Sequence, residues 1–178
     1  MDINKIKALG EKSGECNVII EISANSSAVK YEFEKDSGAI FVDRFIQVAM
    51  SYPCNYGFIP HTLSGDGDPA DVLVVTTYPI ITGAVINCRP VGVLLMKDES
   101  GDDEKIIAVP TEKIDPSMAD IQSLDDLNPM LLSRISHFFE RYKDLEKGKM
   151  TEVKGFGDAK KAKELILEAI ERYKHNSK

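Results

Sequence analysis

The sequence predicts an α+β fold, a strongly bent sheet or small barrel with helices segregated against it. Three observations predict it. Short β-branched or alternating segments, punctuated by turn residues, fill most of the chain as far as residue 109. Two amphipathic helical patterns follow near the C-terminus. Strand and helix patterns do not alternate, which disfavours a doubly wound parallel sheet.

Residues 1–12 read as a short helix. Residues 17–22, NVIIEI, are a β-branched strand. Residues 29–34 alternate, with Val29, Tyr31 and Phe33 on one face and Lys30, Glu32 and Glu34 on the other. Ser37-Gly38 reads as a turn and 39–43 as a further strand. Residues 51–69 hold Pro53, Gly57, Pro60, Gly65, Gly67 and Pro69 and read as one long loop, a length usually tied to function. Buried-strand runs follow at 72–75 and 84–96, the second bent at Pro90-Val91-Gly92. An acidic turn spans 97–103, and 105–109 returns as a strand.

Asn128-Pro129 reads as an N-cap with proline at the first helical position. Leu131, Ile135, Phe138, Tyr142 and Leu145 then recur at helical spacing, up to a stop at Gly148. Residues 151–154 form a short strand and 155–157 a turn. Asp158 caps a last helix with Ala162, Leu165, Ile166, Ala169, Ile170 and Tyr173 on one face, and 175–178 are expected to fray.

A chain of 178 residues, 43% hydrophobic, supports one domain over 1–178. The net charge of −7 argues against a general nucleic-acid binder, which needs a basic footprint. Bound metal ions can still reverse the sign locally. Cys16, Cys54 and Cys88 are odd in number and widely spaced, which fits small buried hydrophobes in a reducing compartment. The N-terminal residues lack the apolar run of a secretory signal, and no stretch approaches the ~18 apolar residues of a membrane span. These features predict a cytoplasmic protein without membrane partners.

GxxxxGK[ST], GxSxG and HExxH are all absent. The sharpest local feature is Asp66-Gly67-Asp68-Pro69-Ala70-Asp71. Three mutually repelling carboxylates before a buried strand suit a hard divalent cation, which takes oxygen ligands. A solvated acidic turn is the alternative. An EF-hand fits poorly, because Gly67 stands at loop position 2 and Thr77 at position 12. A second acidic cluster, 98–105, holds Asp98, Glu99, Asp103 and Lys105, and both clusters occupy strand ends that can meet at one rim. Glu21, Lys30 and Glu32 lie on strands, Arg44 follows the third strand, and Tyr52 and Tyr56 sit in the punctuated region. Tyr142-Lys143 is placed at a helix end. Each of these, alone, also reads as solvent face or packing.

Together, their order resembles the family I soluble inorganic pyrophosphatases, from about Asn17 to Gly157. DGDPADVLV at 66–74 is similar to the signature D-[SGDN]-D-[PE]-[LIVMF]-D-[LIVMGAC], with Ala70 where a larger aliphatic residue is usual. VKYEFEK at 29–35, DRF at 43–45, SYPCNYGFIP at 51–60, KDE at 97–99 and HFFERYKDLEKGK at 137–149 support it. The chain lacks tryptophan, with Met150 and Phe156 where bacterial relatives often carry it.

The resemblance implies a small five-stranded OB-like β-barrel with flanking helices, and hydrolysis of pyrophosphate by direct attack of water. It implies several Mg²⁺ ions per site, held by Asp66, Asp71, Asp98 and Asp103, with Glu21, Glu32 and Glu99 in the acidic surround. It implies Asp68 as general base, Tyr52 as a site tyrosine contacting the acidic network, and Lys30, Arg44, Tyr56, Lys105, Tyr142 and Lys143 as phosphate contacts. It also implies a homohexamer. Such chemistry needs these residue types together: cations offset a highly charged substrate, a carboxylate takes the water's proton, and Lys and Arg steady the leaving phosphate. An OB-like nucleic-acid or nucleotide module, whose tyrosines would stack on bases, is the nonenzymatic rival, opposed by the acidic charge. Another metal-dependent phosphohydrolase acting on a nucleotide is the enzymatic rival.

Overall fold

A computed structural model describes residues 1–176. Among these described residues nine strands and two α-helices follow in order: β1 Cys16–Ile22, β2 Val29–Glu34, β3 Ala39–Phe45, β4 Asn55–Phe58, β5 Asp71–Val74, β6 Val85–Asp98, β7 Gly101–Asp102, β8 Lys105–Pro110, α1 Pro129–Arg141, β9 Thr151–Asp158 and α2 Ala159–Asn176. Five strands close a ring. β1 pairs with β4, β4 with β5 and β8 with β6, all antiparallel, β5 pairs with β8 in parallel, and β6 returns to β1. The α+β architecture expected from the sequence is therefore present, with the five-stranded closure that the resemblance implied.

β6 is long enough to serve three strands besides its hairpin partner β7. Residues 85–88 pair with β1, 88–94 with β8 and 92–98 with β9. The register slips between Pro90 and Gly92, where the sequence predicts a bend, because Pro90 has no N–H for the ladder. β2 and β3 form a separate two-stranded ribbon.

Alternation decides which core each side chain joins. Leu73, Ile107 and Val109 join Ile22, Tyr52 and Tyr56 beneath Ile135, Phe138 and Phe139 of α1. Val72, Val74, Ile106 and Ala108 join Val18 and Ile20 beneath Ala162, Ile166 and Ile170 of α2. Because both faces are covered, these strands read as unbroken apolar runs. Asn128 caps α1 by accepting the Met130 N–H at 2.8 Å, with Pro129 at the first position. Asp158 caps α2 by accepting the Lys161 N–H at 2.8 Å. Cys16, Cys54 and Cys88 are all buried free thiols, and burial pushes Cys16 and Cys54 up to about 12. Among the described residues no helix is long and apolar enough to cross a membrane.

Four expectations are corrected. The N-terminal segment makes only a 3-10 turn, Ile3–Lys5, because the Asn17 side chain takes the Lys7 and Leu9 carbonyls that a helix would use. The loop over 51–69 contains β4, despite its glycine. α1 stops at Arg141, short of Gly148, and Leu145 is exposed beyond it. The expected turn at 155–157 is strand: Gly155, at φ 121°, absorbs a bulge opposite Leu95 and β9 runs on to Asp158. Of the tail expected to fray, His175 and Asn176 belong to α2, and residues 177–178 lie outside the described residues.

Gly57 explains why β4 closes the ring. A Cβ there would stand 1.9 Å from the Ile19 carbonyl oxygen and 2.9 Å from Ile20 Cα, both backbone atoms that cannot swing away. Gly57→Ala should therefore force β1 from β4 and cost at least about 1–3 kcal/mol. A urea midpoint unchanged from the parent protein would show that the pairing tolerates the methyl.

Candidate active site

The ring brings separate chain segments to one rim. β5 and β8 pair Asp71 with Lys105 in register. The Lys105 ammonium, almost fully buried, bonds Asp71 at 2.5 Å, bonds Asp103, and donates to the Tyr56 hydroxyl at 3.5 Å. Its proton is held more firmly than usual: burial opposes the charge, but Asp71 and Asp103 outweigh it. Asp103 itself is shifted upward by burial and by neighbouring carboxylates, with Lys105 opposing.

Glu21, on β1, is buried and accepts the Phe33 N–H at 2.7 Å. Burial, with the Asp71 charge adding, pushes its carboxyl up to about 8 although the N–H opposes this. Lys30 on β2 pairs with Glu32 beside it and with Asp43 on β3 at 3.0 Å. The cross-strand partner of Lys30, Arg44, is held by Asp43 at 2.7 Å and by Glu146 at 3.1 Å.

Asp68 is exposed at the tip of the 59–70 loop, and Gly67, at φ 96°, turns the chain there. The Asp68 N–H donates to Asp66 Oδ1 at 3.0 Å. Burial and the charges of Asp71 and Asp68 shift Asp66 upward. A cavity of about 230 Å³ is lined by Glu21, Lys30, Glu32, Tyr56, Asp68 and Asp71, among others. At the other end of the rim, Lys143 bonds Asp98 at 3.0 Å and Glu99 at 3.3 Å, and Lys149 also holds Glu99. These lysines draw the Glu99 carboxyl down to about 2 against its partial burial.

Tyr52 is buried between the Tyr56 ring at 5.0 Å and the Phe138 ring at 4.6 Å. Tyr142 stacks on Phe138 at 5.3 Å. Burial raises the phenols of Tyr52, Tyr56 and Tyr142, so all three are neutral donors.

The sequence-predicted residues thus stand on the ring's strands or on the elements bordering them, and the charged ones apart from Glu21, Asp66 and Asp68 fall into three ion-paired groups. One is centred on Lys105, one on Lys30 and Arg44, one on Lys143. Asp43, Glu146 and Lys149 were missed as partners. Their segments, DRF and EKGK, had been noted, but no local spacing ties residue 44 to residue 146.

The donor set suits a hard cation, since Asp66, Asp71, Asp98 and Asp103 offer carboxylate oxygens alone. An ammonium already lies between Asp71 and Asp103, so a positive charge at that place is what the two carboxylates accommodate. With Lys105 between them, no group of three His, Cys, Asp or Glu among the described residues is gathered closely enough to hold a metal as it stands.

Comparison with known proteins extends this picture. The family model described as inorganic pyrophosphatase matches residues 18–174. The inorganic pyrophosphatase of Rickettsia prowazekii is 63% identical over 172 residues, covering 97% of this chain and 99% of that one. That of Xanthomonas campestris is 57% identical over 159 residues, 89% of each chain. The crystal structure of the inorganic pyrophosphatase from Thermus thermophilus superposes with a TM-score of 0.91 at 42% identity, covering 98% of this chain and 99% of that one. An inorganic phosphatase structure from Anaplasma phagocytophilum superposes at 0.93 with 52% identity, covering 96% and 99%.

Proposed function

The chain belongs to the inorganic pyrophosphatase family and hydrolyses inorganic pyrophosphate to two orthophosphates, and from that premise we propose how its own residues divide the work. The family works with a divalent metal, and we assign Mg²⁺, several ions per site, to Asp66, Asp71, Asp98 and Asp103. When bound, the metal neutralises phosphate oxygens and makes the attacking water more acidic. The observation that carries the division of work is the cavity where Asp68, Asp71, Glu21, Glu32, Lys30 and Tyr56 converge from four strands and a loop, while Asp71 and Asp103 already share one positive charge, that of Lys105.

Asp68 takes the proton of the attacking water. It is exposed at the loop tip, without a cation paired to it in the ion-pair network that holds Asp71 and Asp103. Lys30, Arg44, Lys105 and Lys143 hold the phosphate oxygens, and Tyr56 and Tyr142 donate hydroxyl hydrogen bonds. As charge grows on the leaving phosphate, these donors stabilise it without having to reorganise. Glu21, Glu32 and Glu99 complete the acidic surround, and Glu32 and Glu99 keep Lys30, Lys143 and Lys149 aimed. Tyr52 contacts the same network by packing against Tyr56 and Phe138.

The rival nucleic-acid module fits less well, because Tyr52 is buried rather than presented for stacking. The deciding experiment is phosphate release from pyrophosphate and from a nucleoside triphosphate in Mg²⁺. Hydrolysis of the nucleotide at a comparable rate would redirect the substrate assignment.

Buried thiols and an acidic surface fit action in the cytoplasm, with pyrophosphate rather than nucleic acid or membrane as partner. The assembly proposed is a homohexamer, consistent with the exposed Tyr78, Ile81 and Phe45 and with the preference of oligomers for closed symmetry. Sedimentation at micromolar concentration should give six times the 19.7 kDa chain mass, and a monomer would overturn it.

A further inference from the structure

The loop that carries Asp68 is fastened from beneath. Thr62 is 1% exposed, and its hydroxyl donates to the Ile59 carbonyl at 2.5 Å while accepting the Ala70 N–H at 2.9 Å. The Ile59 N–H donates to the Ala70 carbonyl at 3.0 Å, so both ends of the loop are tied together. Within the loop, the Ser64 N–H donates to the Asp68 carbonyl at 2.7 Å and the Gly67 N–H to the Ser64 carbonyl at 3.2 Å.

One residue before Ser64, the loop is gripped by α2. The Leu63 N–H donates to the Ala169 carbonyl at 2.9 Å, and Arg172 Nε donates to the Leu63 carbonyl at 2.8 Å. Both polar groups of the Leu63 backbone therefore rest on the C-terminal helix. His61, in the left-handed region at φ 55°, sets its ring 5.4 Å from that of Tyr173, with Nδ1 3.3 Å from the hydroxyl. A non-glycine residue stays there only where its surroundings hold it.

Asp71 needs none of this. It lies in the β5–β8 ladder and is held directly by Lys105. Asp68 has no ladder, and its position depends on the chain from Thr62 to Ser64. We propose that Arg172 and Thr62 are positioning residues for the reaction, latching the loop so that Asp68 stands at the attacking water. The inference rests on the assignment of Asp68 as general base.

The latch predicts a kinetic signature. A displacement of about 1 Å at a reacting group costs up to about 10²-fold in rate. Arg172→Met keeps the stem and removes the Nε donor, and Thr62→Val keeps the shape and removes the hydroxyl. Each should lower kcat by roughly 10- to 100-fold even at saturating Mg²⁺, with any rise in the Mg²⁺ requirement confined to the share of Asp66, the one assigned metal carboxylate on the loop, because Asp71 is held independently. Thr62→Ser should restore the rate. Lys174→Met, on the same helix turn but paired to Glu171 at 2.6 Å, should leave it unchanged.

The decisive measurement is the double variant Arg172→Met with Asp68→Asn. If Arg172 acts through Asp68, it lowers kcat no further than Asp68→Asn alone. Multiplied losses, or Arg172→Met and Thr62→Val at full kcat with only a lowered Tm, overturn the latch. Near-normal turnover of Asp68→Asn alone instead overturns the general-base assignment beneath it, so the two failures are told apart.

Discussion

Treatment with a divalent-metal chelator is expected to abolish pyrophosphate hydrolysis, and Mg²⁺ to restore it. The expectation comes from charge. Asp66, Asp68, Asp71, Asp98 and Asp103 share one rim, and of these Lys105 and Lys143 already pair with Asp71, Asp103 and Asp98. A substrate carrying several negative charges would enter a rim with little free positive charge. Metal stabilisation of developing phosphoryl charge is worth several kcal/mol, so the loss should reach about 10³-fold or more. Full activity in metal-free buffer would sink the assignment. Ca²⁺ is expected to bind the same oxygen donors and inhibit, because its ~2.3–2.6 Å bonds and looser coordination misplace the reactants. Activation by Ca²⁺ equal to that by Mg²⁺ would show that the geometry is less demanding.

The second large effect separates Asp68 from Asp71. The two lie three residues apart across Pro69-Ala70, yet their settings differ. Asp71 begins β5 and is ion-paired to Lys105 at 2.5 Å, whereas Asp68 is exposed on the loop. Asp68→Asn removes the group that accepts a proton, and general-base catalysis is typically worth ~10²–10⁴-fold. The rate should fall by that order with most of the Mg²⁺ affinity intact. It should recover in part at higher pH, where the attacking water gives up its proton more readily without help. Asp71→Asn should instead raise the Mg²⁺ concentration needed, because an anionic donor is lost. The measurement is a pH–rate profile beside a Mg²⁺ titration for each variant. If saturating Mg²⁺ erases the whole defect of Asp68→Asn, then Asp68 is a metal ligand and the base lies elsewhere.

Several features were legible because their signals are local. Three carboxylates within 66–71 announce themselves by spacing, and Asn128-Pro129 starts a helix whether or not anything packs on it. Val72 to Val75 read as a buried run because both faces of that strand are covered. Other features were not. β4 hid within a segment rich in Gly and Pro, because Gly57 reads as a turn residue until the Ile19 carbonyl is found against it. The end of α1 was misplaced by seven residues, from 141 to 148, because the apolar period continues through Tyr142 and Leu145 while the chain departs to aim Lys143 at Asp98 and Glu99.

The sequence by itself determined the α+β class, the acidic loop, the family resemblance and the residue types of the site. Each depends on neighbours a few positions apart, where side-chain period and turn chemistry act. Tertiary structure alone decided which charges meet. Lys105 faces Asp71 through a parallel pairing across 34 residues, Arg44 reaches Glu146 across 102, and Arg172 grips Leu63 across 109. Such contacts form only after long loops close, and the free energy that closes them comes from burying the two apolar faces of the ring rather than from the charged groups themselves. The local pattern therefore names the participants, and the register of the closed ring chooses their partners.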